Sequence, residues 1–110
     1  MTGSERRTTQ RFSMRLPLTV RWTTGAAVGE TMTESRDVSS RGVGVISANE
    51  WMEDDVILVS IPAGRYSSAA RVAHCVPIGS GQYRTGLEFI GAKEPLQMNA
   101  LTSAADPSAN

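Results

Sequence analysis

From Leu16 onward apolar and polar positions alternate: Leu16, Leu18, Val20 and Trp22 fall on one face of an extended chain, Pro17, Thr19, Arg21 and Thr23 on the other. That period of two predicts a half-buried strand. Thr24, Gly25 and Gly29 bracket a turn, and the threonine-rich run from Thr31 to Arg36 predicts a second strand. A short buried strand follows at Val43 to Ile46. The acidic segment Asn49 to Asp55 reads as a loop, and Val56 to Ile61 as a strand ended by Pro62, Ala63 and Gly64. The next strand runs from about Ser68 to Val76, with Ala70, Val72, His74 and Val76 on one face and Arg71, Ala73 and Cys75 on the other. Gly79, Ser80 and Gly81 turn the chain into the last strand, where Tyr83, Thr85, Leu87 and Phe89 alternate with Arg84, Gly86 and Glu88.

Six short strands with turn signals between them predict an all-β domain, and closing so small a sheet hides its edges. The expected fold is a six-stranded antiparallel β-barrel. Beyond Gly91 the period changes: Pro95 suits a first helical turn, and Leu96, Met98, Ala100 and Leu101 predict a short amphipathic C-terminal helix across one barrel end. Thr102 to Asn110 is small and polar, as expected of a disordered tail. The chain thus divides into an arm over 1–13, a barrel over 14–92, and a helix with its tail over 93–110.

A length of 110 residues suits one core. The net charge is zero, yet every basic residue except Lys93 is arginine. Arg6, Arg7, Arg11, Arg15 and Arg21 concentrate positive charge near the start, against Glu5 alone, while Glu50, Glu53, Asp54 and Asp55 reverse the sign later. A guanidinium forks two donors onto a phosphate or a guanine edge and stacks on purine faces, so the arm reads as anion-facing. The zero total argues against a sequence-independent nucleic-acid coat. No apolar stretch reaches bilayer length, no secretory segment opens the chain, and Cys75 is the only cysteine, so a reducing cytoplasm is the expected compartment.

The inventory argues against catalysis. His74 and Cys75 are adjacent in a predicted strand, where neighbours point to opposite faces, so they make no dyad. A zinc site needs more His or Cys than the chain holds. Ser39, His74 and Asp37 could be drawn as a triad, but no nucleophile elbow surrounds Ser39. The run Gly42-Val43-Gly44 lacks the lysine and the helix of a phosphate loop. No enzyme activity, metal or cofactor is expected.

Two motifs remain. Arg6-Arg7-Thr8-Thr9-Gln10-Arg11 is an RRxxxR arrangement, weak alone, because arginine pairs at this spacing should arise about once by chance in such a composition. Asp37-Val38-Ser39-Ser40-Arg41-Gly42 is a DxSxxG arrangement, expected only about 0.04 times. If the first two strands form a hairpin about Ala26, Asp37 lies opposite about Arg15 and Ser39 opposite about Ser13, so both motifs emerge at one rim. There an anion meets guanidinium forks and the Ser39 hydroxyl, and the Asp37 carboxylate accepts from the N1 and N2 edge of a guanine. Gly42 permits a backbone conformation closed to other residues. A ligand with both phosphates and guanines suits this mixture, since Asp37 repels a bare phosphate. The competing reading of Asp37 and Ser39 is a turn that caps its own backbone. Trp51 and Met52, in the acidic loop, read as a barrel plug rather than a partner anchor.

These motifs, with the closing Tyr83-Arg84-Thr85-Gly86-Leu87-Glu88-Phe89, resemble the PilZ domain, the bacterial receptor module for cyclic di-GMP, over roughly Glu5 to Ala92. The resemblance implies a six-stranded barrel with a trailing helix. It implies that Arg7 and Arg11 grip phosphates and guanine faces while Asp37, Ser39 and Gly42 form the rim that receives a guanine. It also implies that Arg6 accompanies an intercalated ligand dimer. The expected protein is a non-catalytic effector whose arm orders over the barrel when cyclic di-GMP binds and whose altered surface a downstream protein reads. The alternatives are an adaptor of the same fold that binds no nucleotide and a small RNA-binding barrel. The latter needs exposed aromatics on a basic face.

Overall fold

A computed structural model describes residues 11–24, 27–91 and 96–97. Its strands are β1 (Phe12–Ser13), β2 (Pro17–Thr24), β3 (Ala27–Ser39), β4 (Gly42–Ser47), β5 (Val56–Ile61), β6 (Tyr66–Gly79) and β7 (Gln82–Phe89). They lie in one sheet of order β1-β3-β2-β5-β6-β7-β4, and the pairing of β3 with β4 closes β2 to β7 into a six-stranded antiparallel barrel. Each expected strand is present. The extra one, β1, extends the sheet along β3, with Phe12 opposite Val38 and Ser13 opposite Asp37.

The alternation read from the sequence fills the interior. Leu16, Leu18 and Val20 meet Val59, Val72 and Leu87 there, all at most 3% exposed. Between β1 and β2 the ladder is interrupted, and the buried Ser35 hydroxyl bridges the gap by accepting from Leu16 N–H at 3.0 Å and donating to Met14 O. Trp51 is 5% exposed, and its indole meets Trp22 edge-on, with centroids 5.4 Å apart and planes at 79°. It therefore plugs the barrel. Met52, beside it, is exposed.

Two local expectations change. Gly29 lies within β3 opposite Trp22 rather than in a turn, because the β2–β3 pairing runs on to Thr24 opposite Ala27. A Cβ on Gly29 would stand 2.7 Å from Trp22 Nε1, so the missing side chain makes room for the indole. In β6 the register slips by one residue between Val72 and His74, a bulge at Ala73. His74 and Val76 consequently turn outward, away from the face of Ala70 and Val72, while Cys75 packs against the core. His74 and Cys75 still point to opposite faces. Of the expected C-terminal helix only Leu96 and Gln97 are described, both without regular secondary structure. Pro95, Met98, Ala100, Leu101 and the tail lie outside the described residues. Leu96 is buried in the core all the same, and its N–H donates to Ser40 O at 3.0 Å.

Candidate ligand groove

The DxSxxG motif spans the end of β3, the two-residue turn Ser40-Arg41, and the start of β4. A second register slip, between Ser35 and Asp37, places an extra residue, Arg36, in β3 opposite β4. Bulges re-aim the side chains that follow them. Ser35 points into the barrel and is fully buried, whereas Asp37, two residues on, points outward and is half-exposed. The slip thus delivers the carboxylate to the outer face. Asp37 faces Ser13 rather than Arg15, a register two residues from the one the hairpin arithmetic predicts.

Arg11 meets Asp37 there. Its Nε and Nη2 lie 3.0 and 2.7 Å from the same oxygen, Oδ1, and among the described residues Oδ2 has no hydrogen-bond partner. Ser39 is fully buried, accepts from Arg41 N–H at 3.2 Å and donates to Gly42 O at 3.4 Å. Its hydroxyl therefore caps its own turn. Gly42 does not use a left-handed conformation, as the sequence suggested; the described glycines with positive φ are Gly79 and Gly81. Its role is close approach, because a Cβ there would collide with the Leu87 carbonyl oxygen of β7. Arg6 and Arg7 lie outside the described residues.

Register sets out the floor of the site. Asp37 pairs with Gly44, Gly44 with Gly86, and Gly86 with His74, one row across β3, β4, β7 and β6. The adjacent row runs Ser39, Gly42, Glu88, Arg71. Three of these outward positions are glycine, and with no side chains of their own they let Asp37 and His74 lie over Gly44 and Gly86 on the floor of an open groove of about 480 Å³ lined by Arg11, Asp37, Ser39, Gly42, His74 and Arg84, among others. Arg41 also borders it, and among the described residues neither Arg41 nor Arg84 has an acidic partner. Glu88 is held at 2.6 Å by Arg71, which also grips Asp54 at 2.7 Å; Glu88 foremost, then Asp54, strengthens the Arg71 guanidinium's hold on its proton. Among the described residues the groove's free positive charge therefore faces two unpartnered carboxylate oxygens, Oδ2 of Asp37 and Oε2 of Glu88, whose other oxygens Arg11 and Arg71 hold.

Among the described residues Asp37, Ser39 and His74 border one groove, yet Ser39 gives its proton to Gly42 O and His74 bonds to neither. No cluster of three metal-ligating side chains occurs among them, and no helix is long and apolar enough to cross a membrane. A slightly larger void of 540 Å³ lies over Thr19, Ser60 and Ser67, but its cation, Arg21, pairs with Glu30 at 3.4 Å. A third, of 520 Å³, borders Trp22 and Trp51. Convergence of the motifs, not size, singles out the groove. Gly44, Gly86, His74 and Arg84 line the groove although the sequence did not single them out for it; the alternate glycines Gly42 and Gly44 carried a signal, since glycine on one strand face marks close approach.

A family model described as the PilZ domain matches residues 5–103. The chain belongs to the PilZ domain family. PilZ domains form a family of cyclic di-GMP receptors and are in general non-catalytic effector modules that engage partner proteins. The match runs past the Ala92 limit of the sequence resemblance, to include the segment holding Leu96. Among solved structures, the PilZ chain is similar to the Bacillus subtilis inhibitor of motility MotI/DgrA, with a TM-score of 0.61 at 17% identity. The similarity covers 87% of this PilZ chain and 46% of that one, so this PilZ domain spans less than half the length of the MotI/DgrA chain. No curated protein matches the sequence.

Proposed function

We propose that this PilZ domain binds cyclic di-GMP in the groove and acts as a cytoplasmic, non-catalytic effector without a cofactor. The observation that carries the reading is the meeting of Arg11 with Asp37 at 2.7 Å on the rim that Ser39 and Gly42 complete. Arg7 and Arg11 supply forks for phosphate and guanine, and the free Oδ2 of Asp37 accepts from a guanine N1 and N2 edge. Ser39 contributes by fixing the turn through its own cap. Binding draws the arm over the groove, a disorder-to-order switch whose new surface a partner protein reads. Arg6 extends the grip to a second, intercalated ligand molecule.

Isothermal titration with cyclic di-GMP tests this. Charge-assisted contacts are worth about 1.5–3 kcal/mol each, and micromolar affinity needs about 8 kcal/mol. Arg7→Ala with Arg11→Ala should therefore take binding to the edge of detection, and a stoichiometry of two ligands per chain should fall to one in Arg6→Ala. Absence of heat in the wild type at tens of micromolar ligand would instead favour the nucleotide-free adaptor, to which the self-satisfied Ser39 hydroxyl is equally suited.

A further inference from the structure

The far wall of the groove is made by a residue outside both motifs. His74 reaches the outer face only because of the bulge at Ala73, and there it pairs across the sheet with Gly86. A Cβ on Gly86 would stand 2.8 Å from Nε2 and 2.9 Å from Nδ1 of His74, closer than real Cβ atoms come. The imidazole therefore occupies the space that a side chain at Gly86 would fill, leaning over the neighbouring strand. It is exposed, and among the described residues neither ring nitrogen has a hydrogen-bond partner. Gly44, the partner of Gly86, is covered in the same way by Asp37, whose Oδ2 would be 2.8 Å from a Cβ there. Paired strand residues have Cα atoms about 4.5–5.5 Å apart. The ring and the carboxylate thus stand side by side over one glycine pair.

Aromatic rings that present a face to solvent in a nucleotide groove are stacking platforms for bases, tolerant of which base they carry. We propose that His74 is the platform on which one purine of the bound dinucleotide stacks, and that Gly86 is the residue that lets the ring lie there. This rests on the reading of the groove as a cyclic di-GMP site. A purine on the ring brings one edge to Asp37. The ring then supplies affinity for any base, and the carboxylate selects guanine through its N1 and N2 donors.

The test is isothermal titration of cyclic di-GMP into the full chain and its variants, with a melting curve for each. His74→Ala should weaken binding about 5- to 150-fold, the loss of one base–aromatic stack, and leave the melting temperature unchanged, since the side chain is exposed. His74→Phe should restore the affinity, because it keeps a ring but no polar atom. Gly86→Ala should weaken binding by pushing the ring off its seat. In His74→Trp the added indole fluorescence should be quenched on binding. Unchanged affinity in His74→Ala, or His74→Phe as weak as His74→Ala, overturns the platform while the functional reading stands. Absence of binding by the wild type overturns both.

Discussion

Replacing Arg11 by alanine should separate ligand binding from fold stability. The Arg11–Asp37 pair is short, 2.7 and 3.0 Å to Oδ1, but the two side chains remain 52% and 41% exposed. Exposed pairs of this kind contribute about 0.2–1 kcal/mol. For a domain of this size the melting temperature should drop by no more than about 8 °C. If the same guanidinium makes a charge-assisted contact of about 1.5–3 kcal/mol in the proposed complex, its loss should weaken binding about 10- to 150-fold. Asp37→Asn should release Arg11 with an equally small effect on melting, and should also weaken the guanine contact, because the charge is lost and an amide NH2 donor replaces one of the two oxygens that face the N1 and N2 donors. Differential scanning fluorimetry and isothermal titration on Arg11→Ala, Asp37→Asn and the double variant measure both quantities. A fall in melting temperature above about 15 °C in Arg11→Ala would make the pair a structural staple and refute the argument. So would an affinity within about twofold of wild type.

Three further outcomes follow from the geometry. Gly44→Ala should weaken binding while the barrel still folds, because its Cβ would sit 2.8 Å from Asp37 Oδ2 and displace the carboxylate; titration and a melt distinguish this from general damage. Trp51→Ala should cost about 3–5 kcal/mol in denaturant unfolding by emptying the plug, whereas Trp51→Phe should cost much less, since Trp51 Nε1 is buried without a hydrogen-bond partner among the described residues and its removal forfeits nothing. Burial raises the Tyr66 pKa above the usual 10.0, and the Glu50 charge raises that of Tyr83, whose hydroxyl donates to Glu50 Oε1 at 3.3 Å. The folded state therefore keeps protons that the unfolded chain releases. That contribution is whole below pH 10 and is lost as pH climbs through the raised values; absorbance titration of Glu50→Gln should show Tyr83 ionising earlier.

Strand content was legible because burial on one face of each strand imposes a period of two, and Leu16 to Trp22 shows it plainly. The meeting of Arg11 and Asp37 was legible too, since a hairpin fixes which chain segments lie abreast even when the pairing at Asp37 is off by two. What the alternation could not reveal was where it breaks. A bulge adds one residue without changing composition, so the slips at Arg36 and Ala73 left no mark, and each reverses which face the following side chains occupy. Asp37 and His74 owe their places to those slips. The uses of Gly29, Gly42 and Gly86 were hidden for another reason: each accommodates an atom from a different strand, and only the assembled sheet supplies that atom.

The turn at Ser40 and Arg41 also ties together distant parts of the chain. The segment entering the barrel meets the strand just before this turn, Arg11 on Asp37 and Phe12 opposite Val38, and the departing segment meets the turn itself through Phe89 N–H on Arg41 O and Leu96 N–H on Ser40 O. A ligand that seizes this turn pulls on both leads at once. Donor and acceptor fluorophores fused at the two ends would thereby turn the domain into a resonance-energy-transfer sensor, with the β3–β4 turn as its fulcrum.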